Sequence, residues 1–248
     1  MSEPQVVRHA DAEELAGSVA LRLVNMIVQA EAEKRPFHLV LTGGGIGIAT
    51  LAALRDRAAE SNVNWSHVHL WWGDERFLPD KDPERNETQA CEALIDAIDV
   101  PPHQVHPMPA SDGMDGDQVE HAATRYAREL TTAARGQGPV PQFDVCLLGV
   151  GPDAHVASLF PGLSHVREDG ASVTAVHDSP KPPPQRVTLT FPSIRSAREV
   201  WLLASGESKA EAVRLGLAGT DVDRAPVSGA RGAEKTVFWV DEAAASLI

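Results

Sequence analysis

The chain has 248 residues, 43% of them hydrophobic, which is enough to bury the core of one large α/β domain. Its formal net charge of −13 argues against a nucleic-acid partner, because phosphate backbones are bound by basic surfaces. Its two cysteines form no disulfide framework and no metal spacing, and no apolar run is long enough to span a membrane. The polar N-terminus lacks a secretory signal, so we expect a cytoplasmic protein whose partner is a small molecule.

The first predicted elements are a helix, a strand and a second helix. Asp11 and Glu14 have the spacing of a capping box, and apolar residues recur behind them at helical intervals, which predicts an amphipathic helix over residues 12–33. Phe37 to Leu41 predicts a strand, which runs into the glycine-rich segment from Thr42 to Gly47 and then into a helix.

The glycine-rich segment is a candidate phosphate site. Backbone N–H groups in a strand–loop–helix unit can hold a phosphate, which makes Gly43, Gly44 and Gly45 candidate donors. The segment matches neither the dinucleotide fingerprint nor the P-loop. From these residues alone, tight backbone packing explains the glycines equally well.

A second strand, from His67 to Trp72, ends in a cluster of charges. Asp74 and Arg76 follow it at the edge of the sheet where open α/β proteins bind ligands, although a solvated loop remains an alternative. Asn86 begins a predicted helix, where a capping role competes with ligand binding. Two histidines of the strand share one face, but no third ligand has matching spacing, so we predict no metal site.

The most informative stretch runs from Phe143 to Gly162. A buried strand ends at Leu148, a glycine–proline turn follows, and a helix is expected to begin at Asp153. Asp153 and His155 then lie where a helix N-terminus could stabilise negative charge and where histidine could move a proton. The simpler reading is a capping Asp and a surface His on an ordinary loop.

The last third of the chain adds three cations. Three prolines predict a stiff, extended segment between Lys181 and Arg186, after a stretch that reads as loop from Gly162. A strand is expected from Val187 to Phe191. Lys209 lies in the first turn of a later helix, against the helix dipole, which suggests an anionic ligand. Strands alternate with helices throughout, so we predict a single domain over residues 1–248, with a largely parallel, Rossmann-like sheet covered by helices on both faces.

Four ordered segments carry a family resemblance. GVGPDAHVASLFPG at residues 149–162 resembles the signature of the 6-phosphogluconolactonase family, which is related to glucosamine-6-phosphate deaminase. LTGGG at 41–45, GDER at 73–76 with Asn86 following, and SGESKAEAV at 205–213 agree with that family in the same order. The resemblance covers about residues 10 to 240.

The resemblance implies hydrolysis of 6-phosphoglucono-δ-lactone to 6-phosphogluconate, a step of the pentose phosphate pathway. The sequence shows no metal cluster, so we expect no cofactor. His155 is the expected general base, and Asp153 would orient it or stabilise its cation. Asp74, Arg76 and Asn86 are expected ligand contacts, with Arg76 serving either the carbonyl oxygen or sugar hydroxyls. The phosphate would be bound by the glycine loop and by Arg186 and Lys209, with Lys181 in reserve. The chain has no serine-nucleophile motif, which favours direct attack by water.

Two rival functions remain open at this stage. An amino-sugar-phosphate deaminase of the same superfamily carries a Glu where this chain has Phe160, and a catalytically dead sugar-phosphate-binding regulator would lack the proton-transfer groups. The family also has Gly where this chain has Ala154. We expect Ala154 to be helical, where alanine is favourable. The sequence leaves the oligomeric state open, and a monomer is plausible.

Overall fold

The computed structural model describes residues 3–114 and 116–248, which fold into ten strands and six α-helices. The strands are β1 (Gln5–His9), β2 (Phe37–Leu41), β3 (Val68–Trp72), β4 (Asp74–Arg76), β5 (Val105–His106), β6 (Val145–Gly149), β7 (Val173–Val176), β8 (Arg186–Leu189), β9 (Glu199–Ala204) and β10 (Lys235–Asp241). The helices are α1 (Ala12–Ala32), α2 (Gly45–Ser61), α3 (Asn86–Ala93), α4 (Val119–Ala133), α5 (Phe191–Ser196) and α6 (Ala210–Leu217).

Seven of these strands form one parallel sheet in the order β1-β10-β9-β6-β2-β3-β5. Its central strands are largely apolar because helices cover both faces, and all five residues of β2 are buried. The predicted α/β fold with a largely parallel sheet is confirmed. The predicted capping box is also present, since Asp11 accepts a hydrogen bond from the Glu14 N–H at 2.9 Å.

The chain order of the strands reverses between β2 and β6. From β2 the chain builds outward through β3 to β5, whereas β6, β9 and β10 lie on the other side. In open α/β sheets the connections at such a point leave in opposite directions and open a crevice at the carboxyl edge. The glycine loop after β2 and the turn after β6 therefore flank the same crevice.

A second sheet was not anticipated from the sequence. β4, β8 and β7 pair antiparallel in that order, and α4 packs against β7 and β8. In its register Arg76 lies opposite Arg186, so two of the predicted cations become neighbours. β4 continues the main-sheet strand β3 after a single glycine, which brings this small sheet to the carboxyl edge.

Three local predictions were wrong. The stretch after Gly162 is not loop throughout, because it contains β7. Phe191 begins helix α5 instead of ending a strand. The chain bends at residues 180–184, where one Pro–Pro peptide is cis, so this segment is not an extended rod. No helix in the described part of the chain is long and apolar enough to cross a bilayer.

Candidate active site

A cleft of about 490 Å³ opens at the carboxyl edge of the main sheet, where β2 and β6 diverge. Nine of the ten residues predicted to form the site line it: Gly43, Gly44, Gly45, Asp74, Arg76, Asn86, His155, Arg186 and Lys209. The tenth, Asp153, contacts the cleft through His155. Segments that are distant in sequence therefore converge on one cavity.

The glycine loop forms one wall. Helix α2 begins at Gly45, so the N–H groups of its first turn have no partners within the helix and face the cleft. A Cβ atom on Gly43 would overlap the side-chain oxygen of Asn86, so only glycine lets this loop approach helix α3 so closely. The loop is tied to β6 by a hydrogen bond from the Gly149 N–H to the Thr42 hydroxyl at 3.0 Å. The loop is therefore tightly packed and also presents the free N–H groups of a helix end.

The opposite wall carries an imidazole–carboxylate pair. His155 Nδ1 lies 2.5 Å from Asp153 Oδ1, which assigns the Nδ1 proton to this contact and leaves Nε2 to accept a proton. Although partial burial opposes ionisation, the hydrogen bond and charge of His155 and the charge of Lys181 lower the pKa of Asp153 below its usual range. A Cβ on Gly151 would overlap both side chains of the pair. The turn is therefore shaped around this contact.

The backbone of that turn contradicts two predictions. No helix begins at Asp153, because residues 152–154 form turns and a bend. Ala154 has φ +67°, so the expected helical conformation was wrong, and the residue occupies the left-handed region that favours glycine. Its carbonyl accepts the Val227 N–H at 2.9 Å, and its own N–H bonds to the Gly151 carbonyl at 2.9 Å. Tertiary contacts hold the residue in this conformation.

Lys181 joins the pair from the proline segment. Its Nζ lies 3.3 Å from Asp153 Oδ1 and 3.2 Å from His155 Nδ1. The sequence suggested Lys181 only as a reserve ligand for phosphate. No local pattern indicates its contact with the His–Asp pair, because the two segments are joined only by tertiary folding.

The floor of the cleft is held by Asp74 and Asn86. Asp74 is buried and accepts the Ser158 hydroxyl at 2.6 Å, while the Asn86 amide donates to the Asp74 carbonyl at 2.8 Å. Asn86 is the first residue of helix α3 and not its cap, which is Arg85. Arg76 extends into the cleft and donates to the Glu84 carbonyl at 2.5 Å.

Glu75 supports this floor from behind, a role that sequence reasoning missed. Its carboxylate accepts the N–H groups of Arg76, Asn86 and Glu87 at 2.7–2.8 Å, which fastens β4 to the start of helix α3. Burial raises the pKa of Glu75 to about 7, against the lowering by the Arg85 charge and these three donors. Strand alternation could have revealed it, since it separates Glu75 from Asp74 and Arg76.

Two cations complete the cleft. Arg186 donates to the carbonyls of Lys181, Pro182 and Pro183 at 3.0–3.1 Å, so it clamps the proline segment as well as supplying charge. Burial lowers the pKa of Arg186, and burial followed by the charge of Lys181 lowers the pKa of Lys209.

Phe160 packs beside the histidine, with ring centroids 4.7 Å apart, and beneath the Arg186 guanidinium at 5.9 Å. It fills the position where the deaminase branch was expected to carry an acid. The described residues contain no group of His, Cys, Asp or Glu able to hold a metal ion.

A parallel sheet with a glycine-lined, cation-rich cleft and a His–Asp pair defines an α/β protein suited to acid–base chemistry on a small anionic ligand. The chain belongs to the glucosamine-6-phosphate isomerase/6-phosphogluconolactonase family, whose model matches residues 10–239.

The similar proteins agree with this assignment. A 6-phosphogluconolactonase of Streptomyces coelicolor is 54% identical over 245 residues, covering 98% of this chain and 94% of the relative. The crystal structure of 6-phosphogluconolactonase from Thermotoga maritima superposes with a TM-score of 0.82 at 28% identity, covering 97% of this chain and all of that one. A monomeric glucosamine-6-phosphate deaminase superposes with a TM-score of 0.81 at 24% identity and shares the fold.

Proposed function

We propose that this protein hydrolyses 6-phospho-D-glucono-1,5-lactone to 6-phosphogluconate by direct attack of a water molecule that His155 activates. The observation that carries the mechanism is the 2.5 Å contact between His155 and Asp153 at the wall of the cleft. Relatives that carry the lactonase name cover nearly the whole chain, which supports the substrate.

The His155 imidazole accepts a proton in the first step and returns it in the second. As water attacks the lactone carbonyl carbon, its proton passes to His155 Nε2, and Asp153 stabilises the resulting imidazolium. The carbonyl oxygen gains negative charge as the tetrahedral intermediate forms. When the bond to the ring oxygen breaks, the imidazolium returns the proton to that oxygen, and the new carboxylic acid releases the second proton of the water to solvent and leaves as its carboxylate.

The remaining residues bind the two ends of the substrate. The N–H groups at Gly43, Gly44 and Gly45 and the charges of Lys209 and Arg186 suit a phosphate dianion. Arg76 supplies charge for the carbonyl oxygen or for sugar hydroxyls, and Asp74 with Asn86 fixes that wall. This set needs no cofactor.

We also propose a cytoplasmic location, since both cysteines are free thiols, as is usual in reducing compartments.

The rival functions are less well supported. A deaminase that opens an amino sugar needs a further acid–base group, and Phe160 is apolar and fully packed at the expected position. A binding-only regulator has no need for a turn that holds a His–Asp pair at the cost of an unfavourable alanine conformation.

The first experiment measures loss of freshly prepared 6-phosphoglucono-δ-lactone, coupled to 6-phosphogluconate dehydrogenase, with the spontaneous rate subtracted. We expect His155→Ala to lower turnover by about 10²- to 10⁴-fold. His103→Ala, an exposed histidine at the amino edge of the sheet, is the matched control and should retain full activity. Normal turnover in His155→Ala would support the proposed substrate but would show that His155 is not the general base. Absence of any acceleration by the wild type would favour a binding-only protein.

A further inference from the structure

Lys181 occupies an unusual place for a phosphate ligand. Its ammonium lies against the carboxylate and the imidazole at once, 3.3 Å from Asp153 Oδ1 and 3.2 Å from His155 Nδ1. A base that must become an imidazolium is therefore flanked by a carboxylate, which favours that cation, and by an ammonium, which opposes it. In this arrangement Lys181 offsets part of the help that Asp153 gives His155.

The Lys181 ammonium can move away from Asp153. The Lys181 side chain is 41% exposed, and its Asp153 partner is 35% exposed, so the ion pair is solvated and weak. The backbone beneath it is fixed, because Arg186 holds the carbonyls of residues 181–183. The side chain can therefore swing while its attachment point stays in place.

A second ammonium shows where Lys181 would move. Lys209 lines the cleft, and the charge of Lys181 contributes to the lowered pKa of Lys209 after burial. His155, which Lys181 contacts, lines the cleft together with Lys209 and the buried Arg186, so Lys181 lies beside a group of cations that suits a dianion. A phosphate bound there attracts Lys181 away from Asp153.

We propose that Lys181 makes hydrolysis selective for phosphorylated lactones, because it restrains the Asp153–His155 pair in the empty enzyme and releases it on moving to the substrate phosphate. This inference rests on the proposed lactonase function. The phosphate then contributes to the chemical step as well as to binding, since its arrival leaves Asp153 entirely to His155.

The test compares two lactones and one probe. Wild type, Lys181→Met and Lys181→Arg are assayed with 6-phospho-D-glucono-1,5-lactone, and with D-glucono-1,5-lactone in the presence and absence of phosphite dianion. Lys34→Met, at an exposed lysine after helix α1 on the opposite edge of the sheet, is the matched control. Thermal melting confirms that each variant is folded.

For Lys181→Met we expect opposite effects on the two substrates. KM for the phosphorylated lactone should rise about tenfold with kcat nearly unchanged, because one phosphate cation is lost. The kcat/KM for the unphosphorylated lactone should rise about three- to tenfold, because the restraint on the base is gone. Phosphite should accelerate wild type on the unphosphorylated lactone by about tenfold and the variant by less than about twofold. Lys181→Arg keeps the positive charge and should retain the wild-type kinetics with both lactones and with phosphite.

Several outcomes overturn the inference. An equal fall in kcat for both lactones, with phosphite activation intact, makes Lys181 a residue that only orients the pair. Unchanged or undetectable turnover of the unphosphorylated lactone in Lys181→Met would also show that Lys181 does not restrain the Asp153–His155 pair. In both cases the proposed function stands if wild type still hydrolyses the phosphorylated lactone. A wild type that hydrolyses neither lactone overturns both.

Discussion

The two edges of the main sheet each carry a cleft lined by charged side chains and histidine, but these side chains differ in how they are paired. The cleft at the carboxyl edge has a volume of about 490 Å³, and another at the amino edge, lined by arginines, histidines and an aspartate, has about 390 Å³. At the amino edge Asp144 is saturated by the Arg35 guanidinium at 2.6 Å and the His38 N–H at 2.9 Å. At the carboxyl edge three cations line the cleft, and Lys181 can exchange partners.

The histidines differ in the same way. His38, His69 and His106 stack against one another and on Trp71, and His106 also bonds to Glu129. Burial lowers the pKa of His38 to about 3 and that of His69 to about 4, so both remain neutral near pH 7. They serve as stacked, hydrogen-bonded structural residues.

His155 instead faces a carboxylate on one side and the cleft on the other. A histidine becomes available for proton transfer when its surroundings can support the cation. The amino edge meets its own hydrogen-bonding and charge requirements internally, whereas the carboxyl edge leaves cations and a proton acceptor for a ligand.

The largest effect should come from Asp153, the partner of His155. Asp153→Asn should lower kcat/KM for the phosphorylated lactone by about 10²- to 10⁴-fold, because an amide neither fixes the imidazole tautomer nor stabilises its cation. The coupled lactone assay measures this, with a melting curve as control. Near-normal turnover would show that His155 works without its partner and would weaken the contrast between the two edges.

The aspartate of the amino edge should affect stability instead. Asp144→Leu should lower the free energy of unfolding by about 2–3 kcal/mol, because it leaves the buried His38 N–H without its acceptor and removes the ion pair between Asp144 and Arg35. Urea denaturation measures this, and Asp144→Asn, which keeps one acceptor, should lose less. Activity per folded molecule should stay within about twofold of wild type. A large loss of activity in the folded Leu variant would contradict a purely structural role.

The buried histidines should make the amino edge sensitive to acid. The pKa of His38 in the folded protein, about 3, lies below the ordinary value of 6.5, so the unfolded chain binds more protons between these values. The free energy of unfolding therefore falls as the pH drops below about 6.5, by about 1.4 kcal/mol per unit and about 2 kcal/mol by pH 5. Urea denaturation near pH 7 and pH 5 should show this loss in wild type and a smaller one in His38→Gln. Equal losses would contradict the assignment.

The smallest effect should come from the strained turn. Ala154→Gly relieves about 1 kcal/mol of left-handed strain but removes a buried methyl group worth about 0.8 kcal/mol, so stability should change by less than about 0.5 kcal/mol. Ala122→Gly, at a buried position within helix α4, is the matched control and should cost about 2 kcal/mol. Urea denaturation distinguishes them. Equal losses would show that the conformation of Ala154 carries no strain.

Sequence patterns predicted the features that depend on neighbouring residues. Strand β2 matched its predicted range, and the capping box at Asp11 was correct, because apolar runs and cap spacing are local properties. The four motif segments also identified the predicted cleft residues other than Arg186, since each segment follows a strand of the main sheet. The start of helix α3 at Asn86 was correct as well, although its capping role was not.

Features that depend on distant segments could not be predicted. The conformation of Ala154 was wrong because its bond to the Val227 N–H comes from a segment more than 70 residues later in the chain. The small antiparallel sheet was missed because β4 has only three residues and pairs with β8 far along the chain. The contact of Lys181 with His155 has the same origin.

By itself, therefore, the sequence determined the central strands and the helices beside them, the parallel character of the main sheet and the family to which the chain belongs. These follow from hydrophobic periodicity and from short motifs, which act over a few residues. Only the tertiary structure decided which edge leaves cations facing a cleft, which histidine pairs with a carboxylate beside that cleft, and how Lys181 reaches the Asp153–His155 pair. Those properties depend on distances, on burial and on the partners available to each side chain. They arise only when β2, β6 and the proline segment are brought together.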